Sequence, residues 1–98
     1  MATGDYEIQY KKSVEKDLRK LPSSQLKGVV AKIRALAANP RPEGSVKLRG
    51  SSDLFRVRHT DYRIVYQISD KTLVVLVVKV GHRRKIYRDS YDDLSSSS

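Results

Sequence analysis

From Leu54 to Val80 the apolar side chains recur at every second position, and two short polar breaks, Thr60-Asp61 and Ser69-Asp70-Lys71, divide the stretch into three runs. A period of two puts alternate residues on opposite faces of an extended chain. Breaks this short leave no room for a crossover. Leu54 to Thr60, Tyr62 to Ser69 and Thr72 to Val80 are therefore expected to form an antiparallel meander. The third run is apolar in both phases, so it is expected to lie centrally with both faces covered, and Gly81 to end it. Val46 to Leu48 reads as one more short extended piece.

The first half follows other periods. Tyr6, Ile8 and Tyr10 alternate with Glu7, Gln9 and Lys11, which predicts a short strand with one buried face. Ser13 is the expected N-cap of a helix that carries Val14, Leu18 and Leu21 on one side, and Pro22 ends it or starts the next. Leu26, Val29, Val30, Ile33, Leu36 and Ala37 follow helical spacing up to the stop at Asn39-Pro40-Arg41-Pro42. Gly28 weakens that helix by about 1 kcal/mol without breaking its pattern. Strand, helical hairpin, then three to four strands is an α+β arrangement with the helices on one face of the sheet.

A chain of 98 residues has room for a single domain, expected over residues 1–94, with Ser95 to Ser98 as a disordered tail. The chain has no cysteine, which excludes disulfides and thiolate metal sites. Met1 to Tyr10 lacks the apolar core of a signal peptide, and the run Leu73 to Val78 is too short to cross a bilayer. A cytoplasmic protein without a membrane partner is the expectation. The formal charge of +9 on 98 residues exceeds what solubility requires and attracts polyanions, nucleic acid foremost.

Strand register turns that charge into a surface. A two-residue turn at Thr60-Asp61 sets His59 opposite Tyr62, Arg58 opposite Arg63 and Arg56 opposite Val65. Arg56, Arg58 and Arg63 then share one face, while Phe55, Val57, Tyr62, Ile64 and Tyr66 line the other, expected to be the core. Like charges opposite one another destabilise a sheet, and no acid interrupts Phe55 to Tyr62 except Asp61 in the turn. A phosphate cradle explains the three arginines better than a solvated face does, because the guanidinium offers two-pronged donors. Gly81 to Arg88, basic with an imidazole and a phenol interleaved, leaves the last strand beside this hairpin.

Taken together, Val46-Lys47-Leu48-Arg49-Gly50, Phe55-Arg56-Val57-Arg58, Asp61-Tyr62-Arg63-Ile64-Val65-Tyr66 and Val80-Gly81-His82-Arg83-Arg84-Lys85-Ile86-Tyr87 resemble the RelE/ParE toxins of bacterial toxin–antitoxin systems. With the helical hairpin ahead of them, these stretches cover nearly the whole chain. The resemblance implies a compact RelE-like fold. Its better-matched branch, RelE, implies an endoribonuclease that cuts mRNA in the ribosomal A site and needs no cofactor. By this resemblance Arg56, Arg58, Arg63, Arg83 and Tyr87 carry activity, with arginines at 56 and 58 where RelE-type enzymes can have lysines. Lys47, Arg49, His82, Arg84, Lys85 and Arg88 are the further basic residues expected to touch RNA. The implied partners are mRNA and rRNA in the A site, a RelB-like antitoxin, and operator DNA only as the toxin–antitoxin complex.

Cleavage through the substrate's own 2′-hydroxyl requires a proton acceptor, a proton donor and stabilisation of charge on phosphorus. Arg63, with Arg56 beside it, is expected on the phosphoryl oxygens, and by resemblance Arg83 assists the leaving oxygen. Arginine stays charged and is a poor base. The acceptor therefore falls to Tyr87 or His82, although a histidine in a basic turn reads first as a surface residue. His59, at a hairpin end, reads as structural or solvated. Two histidines without cysteine make a poor metal site. Two rivals remain: a ParE-like inhibitor of DNA gyrase on the same fold, and a basic RNA-binding module without catalysis.

Overall fold

Residues 5–85 are described by a computed structural model of the chain. Tyr87, Arg88 and the serine tail lie outside them. Strand β1 (Glu7–Tyr10) leads into helices α1 (Lys12–Arg19) and α2 (Ser23–Ala35). Strands β2 (Val46–Lys47), β3 (Leu54–His59), β4 (Tyr62–Ser69) and β5 (Val74–His82) follow, and β5 passes into the single turn α3 (Arg83–Lys85).

Helix α1 begins earlier than expected. Lys11 occupies the N-cap with no side-chain hydrogen bond, and Ser13 lies inside the first turn. Its backbone N–H groups start bonding at once, Val14 N–H donating to Lys11 O at 2.9 Å. Pro22 is the N-cap of α2, and its carbonyl accepts from both Gln25 and Leu26 at 2.9 Å. This suits a proline, which lacks the N–H that a helix start leaves unused.

The sheet has five strands in the order β1-β5-β4-β3-β2. The meander has the expected register, with His59 opposite Tyr62, Arg58 opposite Arg63 and Arg56 opposite Val65. Thr60, the first turn residue, adopts a φ of 53°, the left-handed region that a tight two-residue hairpin demands. Its hydroxyl donates to Gln25 Oε1 at 3.0 Å, tying the hairpin end to α2. Strand β1 joins in parallel on the outer side of β5, Glu7 opposite Val74 and Tyr10 opposite Val77.

Two expectations for the third run are corrected. The central strand is β4, whose Arg63, Ile64, Val65 and Tyr66 are all buried, whereas β5 lies second from the edge. On β5 only Val75, Val77 and Val80 are fully buried, and Leu76 and Val78 stay half-exposed on the other face. The strand also does not stop at Gly81. It continues to His82, because β4 still offers Arg63 and Tyr62 as partners for Gly81 and His82.

The core lies between the helices and one face of the sheet. Val14, Val29, Ile33 and Leu36 pack on Val57, Ile64, Tyr66, Ile68, Val75, Val77 and Val80. A bulge opposite Val65 and Tyr66 shifts the phase of β5, so Val77 and Val80, three residues apart, both point inward. Each such valine contributes about 1.5–3 kcal/mol by leaving water. The opposite face carries a small apolar cluster of its own, Leu48 and Val65 with Leu54 and Val78 packed against them. Among the described residues no helix is long and apolar enough to cross a membrane.

Candidate active site

Strand β2 pairs only two residues of β3, Val46 with Arg56 and Lys47 with Phe55. Beyond Arg56 no described strand pairs with the outer edge of β3. A cleft of about 330 Å³ lies there, lined by Arg56, Val57, Arg58 and Arg63 from the hairpin, Lys32 from α2, and Glu43 and Gly44 from the loop before β2. Four cationic side chains against one carboxylate make it an anion site by composition.

The three hairpin arginines differ in setting. Arg58 is exposed and Arg56 half-buried, whereas Arg63 is only 7% exposed. Its cross-strand neighbour on β5 is Gly81, which has no side chain to compete for the space above the sheet. The face is thus not an open plane of three solvated arginines. Arg56 and Arg63 each hold an interaction with the rest of the chain. A guanidinium fixed within a sheet loses little further freedom when it binds an anion, which favours directional contact over a diffuse attraction.

The C-terminal segment is brought to the same end of the hairpin. The backbone N–H of Arg83 donates to Asp61 O at 2.7 Å, clamping the exit of β5 to the β3–β4 turn. Arg83 and Arg84 are exposed there. His82 is placed differently. It pairs with Tyr62, and the two rings meet edge-on with centroids 5.6 Å apart, on the helix side of the sheet and away from the arginine face. Its Nδ1 accepts the Arg84 N–H at 3.3 Å, so His82 holds the start of α3. Lys47, opposite Phe55, also lies on the helix-side face of the register, and the neighbour of Arg56 is Val46. Arg49 is exposed in the turn after β2, next to Gly50 at a φ of 80°. Lys85 ends α3, and Tyr87 and Arg88 lie outside the described residues.

Strand register does not reach Lys32, Glu43 and Gly44. Lys32 carries no strand signal, and the Glu43–Gly44 turn belongs to a loop whose path no period predicts. That loop is firmly anchored. Tyr66 Oη, buried in the core, donates to Pro40 O at 2.7 Å, and burial pushes the phenol up to about 12. Arg41 makes a two-pronged contact with Asp70, Nη2 to Oδ2 at 2.9 Å and Nη1 to Oδ1 at 3.3 Å. It also stacks over Phe55 at 5.3 Å. Tyr6 Oη donates to Asp70 Oδ1 at 2.6 Å. The Arg41 and Tyr6 hydrogen bonds hold the Asp70 carboxyl below its ordinary value, and the bond to Asp70 holds the Tyr6 phenol above its own. Among the described residues no group of three His, Cys, Asp or Glu side chains is placed to hold a metal ion.

Comparison with known proteins agrees with this fold. The family model of the ParE toxin of the type II toxin–antitoxin system parDE matches residues 8–87. The mRNA interferase toxin RelE of Escherichia coli K12 is 34% identical over 82 residues, spanning 82% of this chain and 85% of that protein. The isolated E. coli RelE toxin superposes with a TM-score of 0.71 at 30% identity, covering 91% of this chain and 98% of that one. A chain of the archaeal RelE–RelB complex from Pyrococcus horikoshii OT3 superposes with a TM-score of 0.73 at 30% identity, covering 81% and 96%. Sequence and architecture converge on one assignment: the chain belongs to the RelE/ParE toxin superfamily, among its RelE-like members.

Proposed function

We propose that this protein is the toxin of a type II toxin–antitoxin pair and that it cleaves mRNA in the ribosomal A site by 2′-hydroxyl attack. The observation that carries the reading is the cleft in which strand register gathers Arg56, Arg58 and Arg63, in a chain related to an mRNA interferase. Attack on phosphorus adds negative charge to the non-bridging oxygens. Arg63, fixed in the sheet, and Arg56 beside it stabilise that charge, and no reorganisation is needed as the reaction proceeds. Arg58 and Lys32 grip neighbouring phosphates. Arg83, held beside the hairpin turn, assists the departing 5′-oxygen. The need for a 2′-hydroxyl selects RNA over DNA. Tyr87 belongs to the active set by the family resemblance, and His82 faces the helix side and holds the start of α3.

A RelB-like antitoxin is the matching partner. The E. coli and P. horikoshii relatives are each known as RelE–RelB complexes. An acidic segment laid across the arginines would close the cleft, and the complex, not the free toxin, binds operator DNA. The match to the ParE family model favours one rival, a gyrase inhibitor without nuclease activity.

Primer extension on translating ribosomes separates the two. The proposal expects A-site cuts that leave 2′,3′-cyclic or 3′-phosphate ends and that vanish with Arg63→Ala. Intact mRNA together with trapped, cleaved DNA overturns it in favour of the gyrase reading.

A further inference from the structure

An arginine cleft stabilises charge readily but has no group to accept a proton, since a guanidinium stays charged at any pH a cell reaches. Among the described residues that line the cleft, Glu43 is the one carboxylate. Resting on the nuclease reading above, we propose that Glu43 is the catalytic base that takes the proton from the attacking 2′-hydroxyl.

Three features place it. The loop that carries Glu43 is pinned ahead of it at Pro40, by Tyr66, and at Arg41, by Asp70 and Phe55. It is pinned behind it at Val46, whose partner across the ladder is Arg56. Between these anchors Ser45 N–H donates to Pro42 O at 3.0 Å, closing a tight turn around Glu43 and Gly44. Gly44 makes the turn possible with a φ of 92°, and a Cβ there would meet nothing, so it is the backbone conformation that calls for glycine. Glu43 is exposed. A carboxylate is one of the side chains that serve as general bases.

The step balances without a co-reactant. The 2′-hydroxyl proton passes to a Glu43 carboxylate oxygen as the 2′-oxygen forms its bond to phosphorus. The P–O5′ bond breaks with its electron pair on O5′, which takes a proton from solvent. The products are a 2′,3′-cyclic phosphate and a 5′-hydroxyl, and the protonated carboxyl returns its proton to water.

The test uses ribosomes programmed with a defined mRNA and single-turnover cleavage followed across pH, with the full-length protein. Binding is measured on the same complex with a 2′-deoxy nucleotide at the scissile position. Glu43→Gln is expected to lower the cleavage rate by about 10²- to 10⁴-fold, the usual worth of a general base. It is expected to leave binding equal or tighter and to abolish the acidic limb of the rate profile. Glu15→Gln, which removes an exposed carboxylate from α1, controls for net charge and is expected to cut at the wild-type rate. A Glu43→Gln protein that cuts as fast as wild type, or that binds more tightly with its rate unchanged, shows that the carboxylate only offsets the arginines and overturns the proposal. So does an acidic limb that survives in Glu43→Gln and disappears in Tyr87→Phe. A wild-type protein that makes no cut at all fails the nuclease reading itself, and Glu43 with it.

Discussion

Gly28→Ala tests how the arginine hairpin is held against α2. On helix propensity alone, replacing a mid-helix glycine with alanine stabilises by about 1 kcal/mol. The structure opposes that gain. A Cβ at Gly28 would overlap the His59 imidazole at Nε2 and Cε1 and would stand 3.1 Å from Cδ2. His59 is half-buried at the end of β3, one residue beyond Arg58, and its ring must shift away from α2 to admit the methyl group. Overpacking of this kind costs about 1–3 kcal/mol. Gly28→Ala is therefore expected to be neutral or destabilising by up to about 2 kcal/mol, the difference of the two effects. In a His59→Ala background the obstacle is gone, and the same change is expected to stabilise by about 1 kcal/mol. Urea denaturation of the four proteins in the cycle gives a coupling energy, expected to be at least about 1 kcal/mol. A Gly28→Ala change that stabilises equally in both backgrounds refutes the reasoning.

Four further outcomes follow from the geometry. Arg63→Ala is expected to reduce cleavage by about 10²-fold or more, with Arg63→Lys intermediate because it keeps the charge and loses the fork; primer extension reads both. Asp70→Asn is expected to flatten the acid limb of stability. The folded Asp70 lies below its ordinary value of 3.8, so its contribution is whole above that pH and is lost as the pH falls through the lower folded value, which acid titration followed by circular dichroism checks. Tyr66→Phe is expected to cost about 1–3 kcal/mol in a thermal or urea melt, because the buried Pro40 carbonyl loses its donor. The same variant is expected to show less alkaline weakening than wild type: the folded phenol sits above its ordinary 10.0, at about 12, so its stabilisation is whole below pH 10.0 and drains away as the pH rises towards 12.

The hairpin was legible in the sequence because two facts sufficed: alternation assigned the faces, and a two-residue break assigned the register. The Arg58–Arg63 pair followed from those alone and stands in the structure as expected. What could not be read has physical causes. The burial of Arg63 depends on a glycine eighteen residues later on a neighbouring strand, a pairing that the third run's own pattern does not specify. The bulge in β5 breaks the period of two that made that run readable, and it hid which of its valines face the helices. Alternation in Tyr6 to Tyr10 announces a strand but not its neighbour, so its parallel place at the edge was out of reach. Ser13 has the chemistry of a cap, yet the chain turned helical before reaching it. Glu43 belongs to an aperiodic loop, whose path is fixed by contacts distant in sequence such as Tyr66–Pro40 and Arg41–Asp70.

The parallel pairing of β1 with β5 has a consequence for the order of assembly. The hairpin and the meander can form from neighbouring segments as they are made, but β1, near the beginning of the described chain, finds its partner only in Val74–Val77, near the end. Closing so long a loop is entropically costly and slow, and it comes after the local contacts have formed. The β1 edge is therefore expected to be set in place last, and Tyr6, which enters the Asp70–Arg41 cluster with it, to tie down the Glu43 loop at that same late step. A partly folded chain thus pairs its hairpin arginines before it holds a finished cleft.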